Sequence, residues 1–196
     1  DEVRHVAELA KQDEIMGIGI TWMRVKFLGW LAQLGSNLTN DGETPTINTP
    51  EAAKVLETFK GFHDDGLTTI SGDDPIALFL AGKLVFLPEG IWMKNRFEEV
   101  PNFNWGMTHL VSFDTQSVYN WTSSHQIVML KNTDLTNERI DGALDFVNWV
   151  GENSLEWARS GQNPAALHIM DNEEFRQMRH SFLLDYPDTL KIYDYK

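Results

Sequence analysis

The residues best suited to holding a small molecule are Pro88-Glu89-Gly90-Ile91-Trp92. A short apolar run, Leu84 to Leu87, passes through the Pro-Glu-Gly turn into the first turn of a helix. Backbone N–H groups at such a start have no intrahelical acceptor and are expected to face outward unpaired. The Trp92 indole sets a flat apolar platform beside them, and Glu89 supplies a charged acceptor. Donors, an acceptor and an aromatic face at one point suit a polyhydroxylated ring with one apolar side.

Catalytic chemistry has weaker support. The chain contains no GxGxxG, Walker loop, HExxH, GxSxG or EF-hand loop. Its histidines, His5, His63, His109, His125, His168 and His180, are dispersed, with no pair at metal-ligand spacing on a helix. His63-Asp64-Asp65 is the densest titratable cluster, and it reads as a solvated helix end just before Gly66. Glu89 with Asp73 or Asp74 would be a glycosidase pair only if the carboxylates flank one bond. Both aspartates already serve as candidate helix caps. The expectation is a non-enzyme that needs no cofactor and no metal.

Bulk properties narrow the field. The chain has 196 residues, 42% of them hydrophobic, and a formal net charge of −13. That charge argues against nucleic acid or an anionic membrane as the main partner. Cysteine is absent, which removes disulfides, thiolate metal sites and cysteine nucleophiles together. No apolar run approaches the ~20 residues that span a bilayer. The chain opens DEVRHVAELA, without an initiator Met, inside a helical pattern, and reads as an excised piece of a longer, processed protein.

Positioning elements follow from periodicity and turn chemistry. Helices are expected over 1–12 and 22–35, and from Thr49-Pro50 to Asp65-Gly66. Further helices run from Asp73 or Asp74 to Gly82, from Trp92 toward Pro101, over 136–150 and over 154–160, with a last one capped by Asp171. In the 136–150 helix, Ile140, Ala143, Leu144, Val147 and Val150 are expected to point inward, Trp30 and Trp149 are expected to be packing residues, and Trp157 either packs, the preferred reading, or edges the cleft. Strands are expected at 15–20, 44–48, 84–87, 105–111 and 126–130. Helices alternating with short strands give an α/β class, and no linker divides the chain.

The order of motifs NDGETPTINTPEAAKVLETF, FLAGKLVFLPEGIW, NWGMTHL, WTSSHQIVMLKN, ALDFVNWV and WARSGQNPA resembles the extracellular solute-binding proteins of sugar-type ABC importers, the group that includes maltose-binding protein. The resemblance implies a periplasmic-binding-protein-like (type II) lobe, a short mixed sheet flanked by helices. Residues 1–196 would form a single C-terminal lobe, with the N-terminal lobe of the two-lobed parent absent. It implies a carbohydrate ligand delivered to ABC permease subunits in the membrane, a monomer, and a periplasmic or extracellular location, free or lipid-anchored.

Site residues carry over by motif. Trp92 falls where the family's Gly-x-Trp aromatic meets a sugar ring, with Glu89 and Gly90 beside it. Ser123 and Ser124 fall in a loop where the family has glycines. Asn163, followed by Pro164, borders the cleft, and Trp22 falls near another cleft aromatic. From the residues alone, Trp121 is either tucked under the Thr-Ser-Ser loop or waiting for ligand, and Glu89 is either an acceptor for hydroxyls or a solvated turn residue. A lobe for a peptide or an organic anion is the alternative, with Lys94 and Arg96 as the nearby cations, and a glycoside hydrolase fragment ranks last.

Overall fold

A computed structural model describes residues 2–114, 116–131 and 134–192, with side chains described as far as Leu190. Helix α1 (Glu2–Gln12) leads into strand β1 (Met16–Ile18), and α2 (Met23–Gln33) and α3 (Pro50–Asp64) follow. Next come α4 (Pro75–Leu80), β2 (Leu84–Phe86), one turn of 3-10 helix (Ile91–Met93) and α5 (Lys94–Glu98). The remainder holds β3 (Asn120–Thr122), α6 (Asn137–Glu152), α7 (Leu155–Arg159), α8 (Leu167–Met170), α9 (Glu173–Arg176) and β4 (Leu190–Ile192).

Strands β1 and β2 pair in parallel, Met16 with Leu84 and Ile18 with Phe86. Thr68 extends this sheet through a parallel bridge to Ile18, and its hydroxyl donates to the Ile18 carbonyl at 2.8 Å. Strands β3 and β4 form a second parallel pair, from Asn120–Leu190 to Thr122–Ile192. The expected mixed sheet is thus two small parallel pairs flanked by helices.

Two apolar clusters hold the first half together. Ala7, Ile18, Phe62 and Leu67 pack α1 and α3 against β1, with Val3 and Phe86 at the margin. Trp30, Val55 and Phe59 lock α2 onto α3, the Trp30 and Phe59 rings stacked with centroids 4.7 Å apart. Trp30 is therefore a packing residue, as expected. Fully burying each such side chain stabilises by about 1.5–3 kcal/mol.

Local rules account for most element boundaries. Thr49 caps α3, accepting from Ala52 N–H, with Pro50 at the first helical position. Asp74 caps α4, accepting from Ile76 and Ala77 N–H at 3.0 Å each. Thr136 caps α6 in the same way. The last helix starts at Asn172 rather than Asp171, because the Asn172 side chain accepts from Glu174 N–H at 2.9 Å.

Three expected strands do not form among the described residues. Residues 44–48 contribute only an isolated bridge, Thr39 to Pro45. Residues 104–109 alternate in exposure as a strand would, yet no ladder forms. Side chains of α2 hold the end of that segment instead. Trp30 Nε1 donates to the Val111 carbonyl at 2.8 Å, and Gln33 Nε2 donates to Val111 and Tyr119 carbonyls at 3.3 and 3.1 Å. Residues 126–130 are exposed and unpaired in any ladder. A strand pattern specifies the segment but not a partner edge.

Helix α6 also departs from expectation. None of its residues is buried, and Leu144, Phe146, Val147 and Trp149 are exposed, so Trp149 is not a packing residue. Trp157 is likewise exposed. Amphipathic periodicity says that a face can be covered, not that a neighbour covers it.

Candidate functional site

The chain enters α2 through Trp22, which holds a left-handed conformation at φ 48°, ψ 48°. A bulky residue in that region costs of order 1–3 kcal/mol and persists only where its surroundings enforce it. Thr21 helps to enforce it here, its hydroxyl donating to the Pro88 carbonyl at 2.8 Å. That bond ties the start of α2 to the turn after β2. The Trp22 and Trp92 rings consequently meet edge to face, centroids 6.0 Å apart and planes at 85°. Trp22 is 60% and Trp92 44% exposed, so both indoles keep large apolar faces open.

The turn itself differs from the expectation of free N–H groups. Gly90 N–H donates to Glu89 Oε1 at 2.9 Å, closing the turn on its own side chain. The other carboxylate oxygen, Glu89 Oε2, is buried with no partner among the described residues. Glu89 is thus half-buried rather than a solvated turn residue. The Trp92 ring folds back over Gly90, where a Cβ would lie 2.2–2.3 Å from ring carbons. Only glycine leaves room for the indole there, so Gly90 acts by shaping the platform.

Behind Trp92 stands the loop 161–163. Gly161 adopts φ +95°, and a Cβ on it would sit 2.7 Å from the Ile91 carbonyl oxygen. Asn163, the next candidate, is half-buried with Oδ1 buried and unpartnered among the described residues. His180, fully buried, holds this loop through its Nε2 and the Gln162 carbonyl at 3.1 Å. Burial depresses the His180 pKa; the Gln162 bond and Glu98 oppose this, and Lys94 adds to it.

The third group of candidates lies further along α2. Trp121 is half-buried in β3 and packs on the helix, its Cβ 3.7 Å from where a Cβ on Gly29 would be. Its contact is thus with α2 rather than with the Thr-Ser-Ser loop. Ser123 and Ser124 are exposed, and Ser124 Oγ donates to the His125 carbonyl at 3.1 Å. Beyond them the His125 ring meets Trp157 edge to face at 5.3 Å. The structure brings Trp22, Glu89, Gly90 and Trp92 to one corner, with the Asn163 loop against it, while Trp121, Ser123 and Ser124 sit apart.

One residue at this corner escaped the sequence reading. Lys26 is 7% exposed, one turn after Trp22 on the same face of α2. Burial lowers its pKa, and the field of the Glu89 carboxylate opposes part of that shift. The usable signal was a lysine four residues after Trp22, inside a helix whose neighbouring positions are mostly apolar.

Lys94, Asp73 and Asp74 are already engaged. Lys94 Nζ is buried and donates to Asn95 Oδ1 and Glu98 Oε2 at 2.9 and 2.7 Å. Arg96 is exposed. Asp73 accepts from Ile70 N–H at 2.8 Å, and Asp74 caps α4, so neither pairs with Glu89. The His63-Asp64-Asp65 cluster is an exposed helix end, with Asp65 bound to Arg4 and Asp64 to Lys60.

A concave surface lies beside this corner. A groove of about 590 Å³ between α2 and the start of α3 is lined by Met23, Phe27, Ile47, Ala52, Leu56 and Phe59. Neither Trp22 nor Lys26 is among its lining residues.

Comparison with known proteins decides the family. The model for bacterial extracellular solute-binding proteins matches residues 10–171. The chain belongs to that family. Family membership places it in the periplasm or outside the cell, and among the described residues no helix is long and apolar enough to cross a membrane. A protein of Brucella abortus (strain 2308) classed as a candidate binding protein is 25% identical over 119 residues, covering 58% of this chain and 29% of its own length. A Brucella suis biovar 1 (strain 1330) counterpart matches equally.

Two solved structures share the fold. An ABC substrate-binding protein from Listeria monocytogenes in complex with cycloalternan aligns at TM-score 0.66 and 19% identity, over 93% of this chain and 49% of that one. The maltose-bound MalE3 of T. maritima aligns at TM-score 0.69 and 15% identity, over 99% and 54%. The periplasmic-binding-protein-like fold is therefore as expected. The chain spans under a third of the curated relatives and about half of the two solved chains.

Proposed function

We propose that this chain is the C-terminal lobe of a two-lobed ABC-importer solute-binding protein and that it holds a carbohydrate at the Trp22–Trp92 corner. The observation that carries this reading is the pair of exposed perpendicular indoles beside a buried, unpaired Glu89 oxygen. One ring supplies a stacking face for the apolar side of a sugar, and the other an edge against its rim. Glu89 accepts from sugar hydroxyls, and a hydroxyl buried without a partner costs about 1–3 kcal/mol, which gives stereochemical selection. The strained Trp22 backbone supports the reading, because such strain gathers at binding sites.

A missing lobe supplies the opposite wall, and closure about a hinge traps the sugar. The closed monomer then presents its cargo to permease subunits in the membrane. Relatives of the same fold bound to maltose and cycloalternan support a carbohydrate. The internal pairing of Lys94 disfavours an organic anion, and the capping work of Asp73 and Asp74 disfavours hydrolysis.

Calorimetric titration of the full-length protein with a panel containing maltose, maltotriose, cellobiose and cycloalternan tests this. Saturable binding of at least one member without turnover is expected. Binding of a peptide or organic acid with no response to any sugar contradicts it.

A further inference from the structure

Loop 161–163 is held from two sides. On one, a Cβ on Gly161 would lie 2.7 Å from the Ile91 carbonyl oxygen and 3.4 Å from Trp92 Cα, so this backbone stands directly behind the indole platform. On the other stands His180, fully buried in the turn after α9, its ring edge to face with Phe175 at 5.7 Å. His180 Nε2 lies 3.1 Å from the Gln162 carbonyl oxygen. A carbonyl only accepts, so Nε2 carries the proton and donates. Nδ1 of the neutral ring is then a bare acceptor, buried and without a partner among the described residues.

Acid disturbs this arrangement. A second proton on the ring sits at Nδ1, where no described group accepts it, and adds a charge beside the buried Lys94. The charged groups facing the ring are Lys94 and Glu98 of α5, paired with each other at 2.7 Å, and Arg179 reaches Glu98 Oε1 at 3.8 Å. On α9, Glu174 and Arg176 bind Arg159 and Asp185 instead. An imidazolium is accommodated here only when the loop moves and water reaches Nδ1.

We propose that His180 is a positioning residue for the tryptophan corner: its neutral ring holds loop 161–163 behind Trp92, and its protonation releases the loop and weakens ligand binding. This role rests on the carbohydrate reading above for its ligand, while the loop contact stands without it. Acid lowers the fraction of molecules with the loop in place, and apparent affinity falls by that fraction. Burial keeps the His180 pKa below the ordinary imidazole value of 6.5, so the loss sets in below that pH.

Two arms on the full-length protein test the role, each at about pH 7.5 and about pH 5.5. Calorimetric titration with maltose, maltotriose, cellobiose and cycloalternan measures binding, and hydrogen-exchange protection of residues 159–164 without sugar reads the loop. Wild-type affinity is expected to fall roughly 3–10-fold on acidification, as a difference of about half to one pKa unit between free and bound protein produces. Loop protection is expected to fall alongside. His180→Leu removes the donor and should weaken binding roughly 10-fold at the higher pH, with lower loop protection. His180→Gln restores a donor to the Gln162 carbonyl but does not titrate. It should recover most of the affinity that His180→Leu loses and show a flatter response to acid in both arms.

Equal acid losses in wild type and His180→Gln overturn the role, as does a folded His180→Leu variant with wild-type affinity and protection. Nitrogen NMR shifts of the wild-type ring need no variant: a protonated Nε2 with a bare Nδ1 is expected at the higher pH, and the opposite tautomer overturns the role. If no sugar of the panel binds wild type, the carbohydrate reading falls and the exchange arm still decides. Acid-sensitive protection in wild type but not in His180→Gln then upholds the loop contact, and equal behaviour removes it.

Discussion

Helices α3 and α6 start in the same way. Thr49 accepts from Ala52 N–H at 3.2 Å, and Thr136 accepts from Arg139 N–H at 3.4 Å, each with an acid in the first turn. Both carry an apolar stripe at helical spacing. Helix α3 buries Ala52, Val55, Phe59 and Phe62, whereas α6 buries nothing. The difference lies in the neighbours. Trp30 of α2 and the sheet at β1 meet the α3 stripe, and none of the described residues encloses the α6 stripe. Capping and periodicity determine where a helix forms, and tertiary cover determines what it contributes.

The contrast is most easily broken by paired truncations. Phe59→Ala is expected to cost about 3–5 kcal/mol of unfolding free energy, since it opens a cavity between Trp30 and Val55. Phe146→Ala, taken from a side chain 57% exposed, should cost under ~1 kcal/mol. Chemical denaturation of both variants measures the gap, and equal costs would show that the α6 face is covered in solution.

Glycines divide along the same line. Gly161→Ala places a Cβ against the Ile91 carbonyl at positive φ and should destabilise by about 1–3 kcal/mol. Gly142→Ala, in open space within α6, should stabilise by roughly 0.5–1 kcal/mol through helix propensity alone. Thermal melts of the two variants should move in opposite directions.

The same pattern shows what was legible in the sequence. The Pro-Glu-Gly turn, the Thr and Asp caps and the α2–α3 core all depend on residues close in sequence or on strong periodicity. Strand β3 was not legible, because its partner β4 lies about 70 residues downstream and carries no local signal. Residues 105–111 have strand-like alternation but are held by Trp30 and Gln33 side chains. Trp92 and Trp22 were legible as candidates by motif order. Their edge-to-face contact was not, because it depends on the Thr21–Pro88 bond that brings two distant turns together.

Indoles offer a binding version of the contrast. Trp92→Ala should weaken sugar binding roughly 10–100-fold, in line with the loss of one aromatic stacking face. Trp149→Ala, on the exposed side of α6, should leave the dissociation constant unchanged within error. Titration of both variants with the same sugar separates a platform from a surface residue.

The smallest effect is a pH dependence. Burial holds the His180 and His109 pKa values below the ordinary imidazole value near 6.5. The unfolded chain therefore binds protons first as pH falls, so stability is full above about pH 6.5 and declines as pH drops through it toward the folded values. Melting temperature should fall between pH 7 and pH 5. The His180→Gln variant should show a shallower fall, and an unchanged slope would place His180 in contact with water.

A crystal structure of the full-length protein with its bound sugar tests the central claim most directly. The account predicts a sugar ring stacked on Trp92, its rim at Trp22 and its hydroxyls at Glu89. A sugar seated in the groove beside Leu56, or anywhere that leaves both indoles bare, would contradict it.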